Sequence, residues 1–201
     1  MDMAEGDDDA ELTLEIGRLV RKAVELDVSL DALWRKLAGS LAAIAVPPGT
    51  RDVANGIVAM LGQYGLLDDL YQLAVATVRQ AETALARRGQ LIHERWIRVD
   101  GDAGPGWIAT LSRKNYTRPL WSLADFRAAS MQIDRARVAL IAVESLAEPP
   151  PLKLSQEGRA FLESWMRGGF ELNENGTVVS IARGLAVPSA PSSEEPPSGS
   201  A

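Results

Sequence analysis

The 201-residue chain predicts an α+β fold: an all-helical bundle in front, followed by a small α+β module with two hairpins and two helices. Three observations carry that expectation. From about 10 to 88, apolar residues recur at three- and four-residue spacing, the period of helices with one buried face. After Arg88 and Gly89 the texture shifts to branched and aromatic residues, as strands require. Near the end, Glu174-Asn175-Gly176 lies between two short apolar runs, and Asn-Gly tolerates the positive φ of a hairpin turn.

Taken in order, 1–9 reads as an acidic, disordered leader. A first helix is expected over 10–26, with Leu12, Ile16, Leu19, Val20 and Val24 on one stripe and Arg18, Arg21, Lys22 and Glu25 turned elsewhere. Asp27-Val28-Ser29 reads as a break, with Ser29 capping a second helix over 30–37 that buries Leu33, Trp34 and Leu37 and ends at Gly39. The apolar run 41–46 fits one helical turn or a buried loop, and Pro47-Pro48-Gly49 stops it. Thr50 is the expected cap of the next helix, whose apolar face is Val53, Ile57, Met60, Leu61 and Tyr64. Gly65 supplies a left-handed stop, and Asp68 caps a helix running from Asp69 to about 88 through Leu70, Leu73, Ala74, Ala76, Thr77, Ala81 and Leu85.

Several of these stretches come in a particular order: Leu19-Val20, then Val28-Ser29-Leu30-Asp31-Ala32-Leu33, then Pro48-Gly49-Thr50-Arg51-Asp52-Val53, then Tyr64-Gly65-Leu66-Leu67-Asp68-Asp69-Leu70. Over about 12–85 that order resembles the effector-associated domains, death-like helical adaptors of bacterial conflict and signalling systems. The resemblance implies that 10–88 is a death-like adaptor pairing with a similar helical domain on another protein. By the same resemblance, Arg51, Asp52, Asp68 and Asp69 around the glycine corner are the partner-binding residues. Members often close the last helix with Asn-Pro, whereas here Val78-Arg79-Gln80-Ala81-Glu82 continues at helical spacing.

The back module is expected over 89–184. A strand over 91–99, a turn over 100–106 and a strand over 107–111 form the first hairpin. Ser122 with Asp125 three residues on makes a capping box for a helix to about 146, with Phe126, Ala129, Ile133, Ala136, Leu140 and Val143 on its apolar stripe. Pro149-Pro150-Pro151 breaks the chain. Ser155 then caps a shorter helix through Phe161, Leu162, Trp165 and Met166, closed by Gly168-Gly169. Strands over 170–173 and 177–181 make the second hairpin, and the Pro, Ser and acid composition of 185–201 reads as a disordered tail.

Composition narrows the function classes. The net charge of −6 resides in the first twelve residues, which hold Asp2, Glu5, Asp7, Asp8, Asp9 and Glu11 and no base; the remainder is balanced. Nothing sets up the basic field that nucleic-acid binding relies on. The chain has no cysteine, which removes disulfides, thiolate metal sites and thiol nucleophiles. No apolar run approaches the roughly 18 residues of a membrane span, and the acidic start is unlike a signal peptide, so a cytoplasmic location is expected.

Candidate chemistry is sparse. His93 is the only histidine, and no nucleophile or orienting acid is marked beside it, so it reads as structural. Gly101-Asp102-Ala103-Gly104-Pro105-Gly106 lacks the Lys and Ser/Thr of a phosphate loop and leads into a strand, so it reads as a hairpin loop. Asp68-Asp69 is a carboxylate pair, but acids at a helix start are explained by the helix dipole. Ser112-Arg113-Lys114-Asn115-Tyr116-Thr117-Arg118 is the most basic stretch and reads as a solvated loop, with phosphate contact the sharper alternative. The five tryptophans, Trp34, Trp96, Trp107, Trp121 and Trp165, read as core anchors, with the lining of a partner groove the alternative for Trp107 and Trp121.

No catalytic, cofactor-binding or metal-binding residue is therefore expected, and the function expected is that of a non-enzymatic adaptor. The alternative is a transcriptional or phage-type regulator using 153–183 as a winged-helix-like end. That segment carries Lys153, Arg159, Arg167 and Arg183 against Glu157, Glu163, Glu171 and Glu174, a balance unsuited to a DNA-facing surface.

Overall fold

The computed structural model describes residues 5–39, 49–101, 104–109, 120–147 and 154–181. Five helices, α1 (Glu5–Ala38), α2 (Thr50–Leu61), α3 (Asp68–His93), α4 (Leu123–Leu146) and α5 (Gln156–Met166), accompany two antiparallel hairpins, β1 (Trp96–Gly101) with β2 (Gly104–Ala109) and β3 (Phe170–Leu172) with β4 (Val178–Ile181). The α+β class and the helical front are as the sequence predicts. The run 41–46, the basic stretch 112–118, the prolines 149–151 and the tail lie outside the described residues.

The first correction concerns α1, which is one 34-residue helix where a leader and two shorter helices were expected. Leu19, Ala23, Leu26, Leu30 and Leu33 are all buried, so the core-facing stripe passes straight through the expected break. Ser29 does not cap a new helix; its hydroxyl donates to the Glu25 carbonyl at 2.9 Å, the back-bond that lets a serine sit inside a helix. Val24, expected on the buried stripe, is half exposed, and Lys22, expected away from it, is buried. From Glu5 the acidic leader belongs to this helix. Asp8 pairs with Arg98 at 2.8 Å, and the Trp107 indole N–H donates to Asp9 at 3.4 Å. Acids at the first turns also face the positive end of the helix dipole.

Thr50 is the first residue of α2, with Gly49 at the cap position, and its hydroxyl donates to Asp27 at 3.2 Å. Gly65 does carry the positive φ of a left-handed stop, +64°. Leu67 occupies the cap position of α3, so Asp68 is its first helical residue. That helix continues to His93, which takes 91–93 out of the expected strand. The first hairpin is tighter than expected, with Trp96 opposite Ala109 and Gly101 opposite Gly104.

In the back half, the Ser122–Asp125 capping box forms as read: Ser122 Oγ accepts from the Asp125 N–H, and Asp125 accepts from the Ser122 N–H at 2.8 Å. Ser155 caps α5 by accepting from the Gly158 N–H at 3.1 Å. Gly168 closes that helix with φ +81°. The second hairpin turns through Asn173, whose side-chain oxygen accepts from the N–H groups of Asn175 and Thr177.

The stripe read on α4 is buried along its whole length, from Phe126 through Ile133 and Leu140 to Val143. It packs into the same core as Leu19 and Leu30 of α1, Ile57 of α2, Val78 of α3 and Leu162 of α5. The boundary expected at 88/89 falls inside α3, and the core runs across it, with Leu85 and Leu91 buried on either side. A satellite cluster joins Leu12, Trp107 and Phe126, with Trp96 edge-on to Phe126 at 4.9 Å and Trp121 tilted against it at 5.2 Å between ring centroids. Trp107 and Trp121, joined by a backbone bridge, serve this cluster.

Candidate functional site

The four residues expected around the glycine corner are separated by the fold. Arg51 and Asp52 open α2, while Asp68 and Asp69 open α3 beyond its other end. Leu61 lies ten residues along the helix from Arg51, about 15 Å at 1.5 Å per residue. Arg51 is 84% exposed and reaches Glu82 on α3 at 4.0 Å. Asp69 is tied to Arg159 of α5, which also holds Glu163 at 2.7 Å; these acceptors, the Glu163 hydrogen bond first, raise the Arg159 pKa further above the guanidinium value. Asp52 and Asp68 are exposed. The backbone at His93 ends α3. Among the described residues, no group of three or more His, Asp or Glu is placed to hold a metal ion, and no helix is long and apolar enough to cross a membrane.

A polar constellation forms elsewhere, between α1 and α4. Beside its apolar stripe, α1 carries Glu11, Glu15, Arg18, Lys22, Glu25 and Ser29 at spacings of four and three, which is one helix face. On α4 the matching positions are Arg127, Ser130, Asp134, Arg137, Ile141 and Glu144. The two faces meet in register. Glu15 accepts from Arg127 at 3.1 Å, Lys22 pairs with Asp134 at 2.5 Å, Glu25 lies 3.8 Å from Arg137, and Lys36 lies 3.6 Å from Glu144. Because both sets ascend together, α1 and α4 run side by side in the same direction.

The centre of this seam is covered by the second hairpin. Lys22 Nζ donates to the Glu174 carbonyl at 3.4 Å, and Arg137 reaches the Gly176 carbonyl at 3.5 Å. The Lys22 and Asp134 side chains are 6% and 1% exposed, so both charges have left water. Such a pair holds only while both members are present, because a lone buried charge is far costlier than the pair.

Below the hairpin the seam opens into a cavity of about 350 Å³ lined by Glu15, Arg18, Lys22, Arg127, Ser130, Met131 and Glu174. Buried Glu15 accepts from Arg18 at 2.8 Å as well as from Arg127, whose other nitrogen reaches Glu11. The Glu15 hydrogen bond is the main cause of a raised Arg127 pKa. The Ser130 hydroxyl is buried and meets no hydrogen-bond partner among the described residues.

Sequence reading missed this site. The signal present was the recurrence of charge at seven-residue intervals, Glu15 and Lys22 on one helix and Arg127 and Asp134 on another, with opposite signs at matching steps. Comparison with known proteins finds no matching family model, no matching curated protein and no matching solved structure.

Proposed function

We propose that the chain is a non-enzymatic interaction protein that grips a helical domain of another protein through the outer side of α2 and the start of α3. The setting suggested by the resemblance to effector-associated domains is a bacterial defence or signalling system. The observation that carries the reading is the placement of α2. Its inner residues Val53, Ala54, Ile57 and Leu61 pack on α1 and α3, while Arg51, Asp52, Asn55 and Ala59 face outward. This face continues into the corner, where Leu67 is 57% exposed next to Asp68. One exposed apolar residue beside an acid, on a face whose far end carries Arg51 and Asp52, supplies an apolar point and charges of both signs, the make-up of a recognition surface with a polar rim. Mixed charge favours choice among similar partners over raw affinity.

The test uses the full chain with Arg51→Glu and Asp68→Lys together. Asp69 is left alone because its contact with Arg159 helps to dock α5. Proteins encoded beside this one are screened for a helical-domain partner by pull-down and titration. The expected outcome is a partner held by the natural chain and lost by the double variant, with the circular dichroism spectrum unchanged. A partner retained by the variant removes this surface. The helix-and-wing alternative is less well supported, since the hairpin tip is bonded to α1 and α4 and is no free wing. A gel shift on random DNA at low salt is expected to show no complex.

A further inference from the structure

We infer that the cavity between α1, α4 and the second hairpin is a binding site for a small dipolar ligand bearing a carboxylate and an ammonium group, an amino acid or aminoalkanoate. Three features of the site lead there. At its lower end Arg18 and Arg127, both about half exposed, converge on buried Glu15. A guanidinium has five N–H donors, and Glu15 takes one from Arg18, so donors remain at the mouth for a carboxylate. At the upper end, one heptad or about 10 Å further along α1, Lys22 is neutralised by Asp134. Glu174, whose backbone carbonyl accepts from Lys22, also lines this end, and its exposed side chain forms no ion pair among the described residues, which leaves an acceptor for an ammonium. In the wall between, Ser130 keeps a hydroxyl, 4% exposed as a residue, without a partner among the described residues. A buried hydroxyl left unbonded is costly, so a ligand group that bonds to it gains by doing so.

The charge balance selects the ligand class. Arg18, Lys22 and Arg127 face Glu15, Asp134 and Glu174, with Glu11 further out on Arg127. There is no positive excess to hold a lone anion such as phosphate, and three fixed cations oppose a lone amine. A molecule carrying both charges preserves the balance and meets the end of the cavity that suits each. The volume, about 350 Å³, lies at the small end of ligand pockets.

The experiment titrates the isotope-labelled full chain, followed by amide NMR, with glycine, 4-aminobutanoate and 6-aminohexanoate, and with acetate and butylamine as single-charge controls. The expected result is saturable shifts at Lys22, Ser130, Met131 and Glu174 for at least one dipolar compound. Its affinity should exceed that of either control by about tenfold or more, the value of one charge-assisted hydrogen bond. Arg18→Gln is expected to weaken it by a similar factor, with partial rescue by Arg18→Lys, and Ser130→Ala to weaken it severalfold. Acetate or butylamine binding as tightly as every dipolar compound overturns the inference. So does an absence of saturable shifts at these residues, or shifts unaffected by Arg18→Gln. The outcome is independent of the α2 surface, whose double variant should bind these probes as the natural chain does.

Discussion

Gly176 shows how one residue can settle what covers a buried charge. Its φ is +77°, and a Cβ built there would lie 2.4 Å from the Asp134 carboxylate. Only a residue with no side chain lets the hairpin tip lie on the Lys22–Asp134 pair. Gly176→Ala is therefore expected to lose at least about 1–2 kcal/mol from the left-handed backbone alone, and more from displacing the tip, as measured by urea unfolding. The pair beneath gives a sharper test. Asp134→Leu or Lys22→Leu alone is expected to cost about 3–5 kcal/mol, because each strands a buried charge. The double substitution should recover most of that loss. Additive single effects would show that the two charges do not act as a unit.

At the scale of elements, α1 and α4 make contrasting cases. The α4 boundaries and stripe were legible because Ser122 and Asp125 advertise a cap and the apolar period holds without interruption. Asp125 is held below the usual carboxylate range, first by the Ser122 backbone N–H and then by its hydroxyl. Its folded pKa is the lower one, so its contribution is fully present above the unfolded value, about 3.9, and is lost as pH falls through the folded value. Ser122→Ala is expected to cost about 1 kcal/mol near neutrality, with the gap from the natural chain narrowing in strong acid. In α1, local signals misled. Asp27, Val28 and Ser29 have the composition of a break, yet Leu26, Leu30 and Leu33 bind that stretch to the core on one side, and packing outweighs a propensity deficit of a few tenths of a kcal/mol per residue. Ser29→Pro discriminates between the two readings. A capping position would tolerate proline, whereas the continuous helix is expected to lose about 3 kcal/mol or more.

For the molecule as a whole, what the sequence could not disclose is which helices become neighbours. Period and caps are local, but the match of Glu15 to Arg127 links residues 112 positions apart. Local reading therefore placed a domain edge at 88/89, where the structure has an uninterrupted α3 and a shared core. The candidate cavity was hidden for the same reason, since each of its walls looks like an ordinary solvated helix face until the other is beside it. A fragment ending at Arg88 lacks Ile133, Leu140 and Val143, so it is expected to melt without a cooperative transition while the full chain melts with one. A cooperative fragment would show that the front helices bury enough among themselves.

The parallel pairing of α1 with α4 also sets an order of events during synthesis. At about 5–20 residues per second, Lys22 waits on the order of ten seconds for Asp134 to be made. Through that interval the leucine stripe of α1 has only α2 and α3 to cover it, so chains stalled on the ribosome before α4 emerges should be cut readily by added protease.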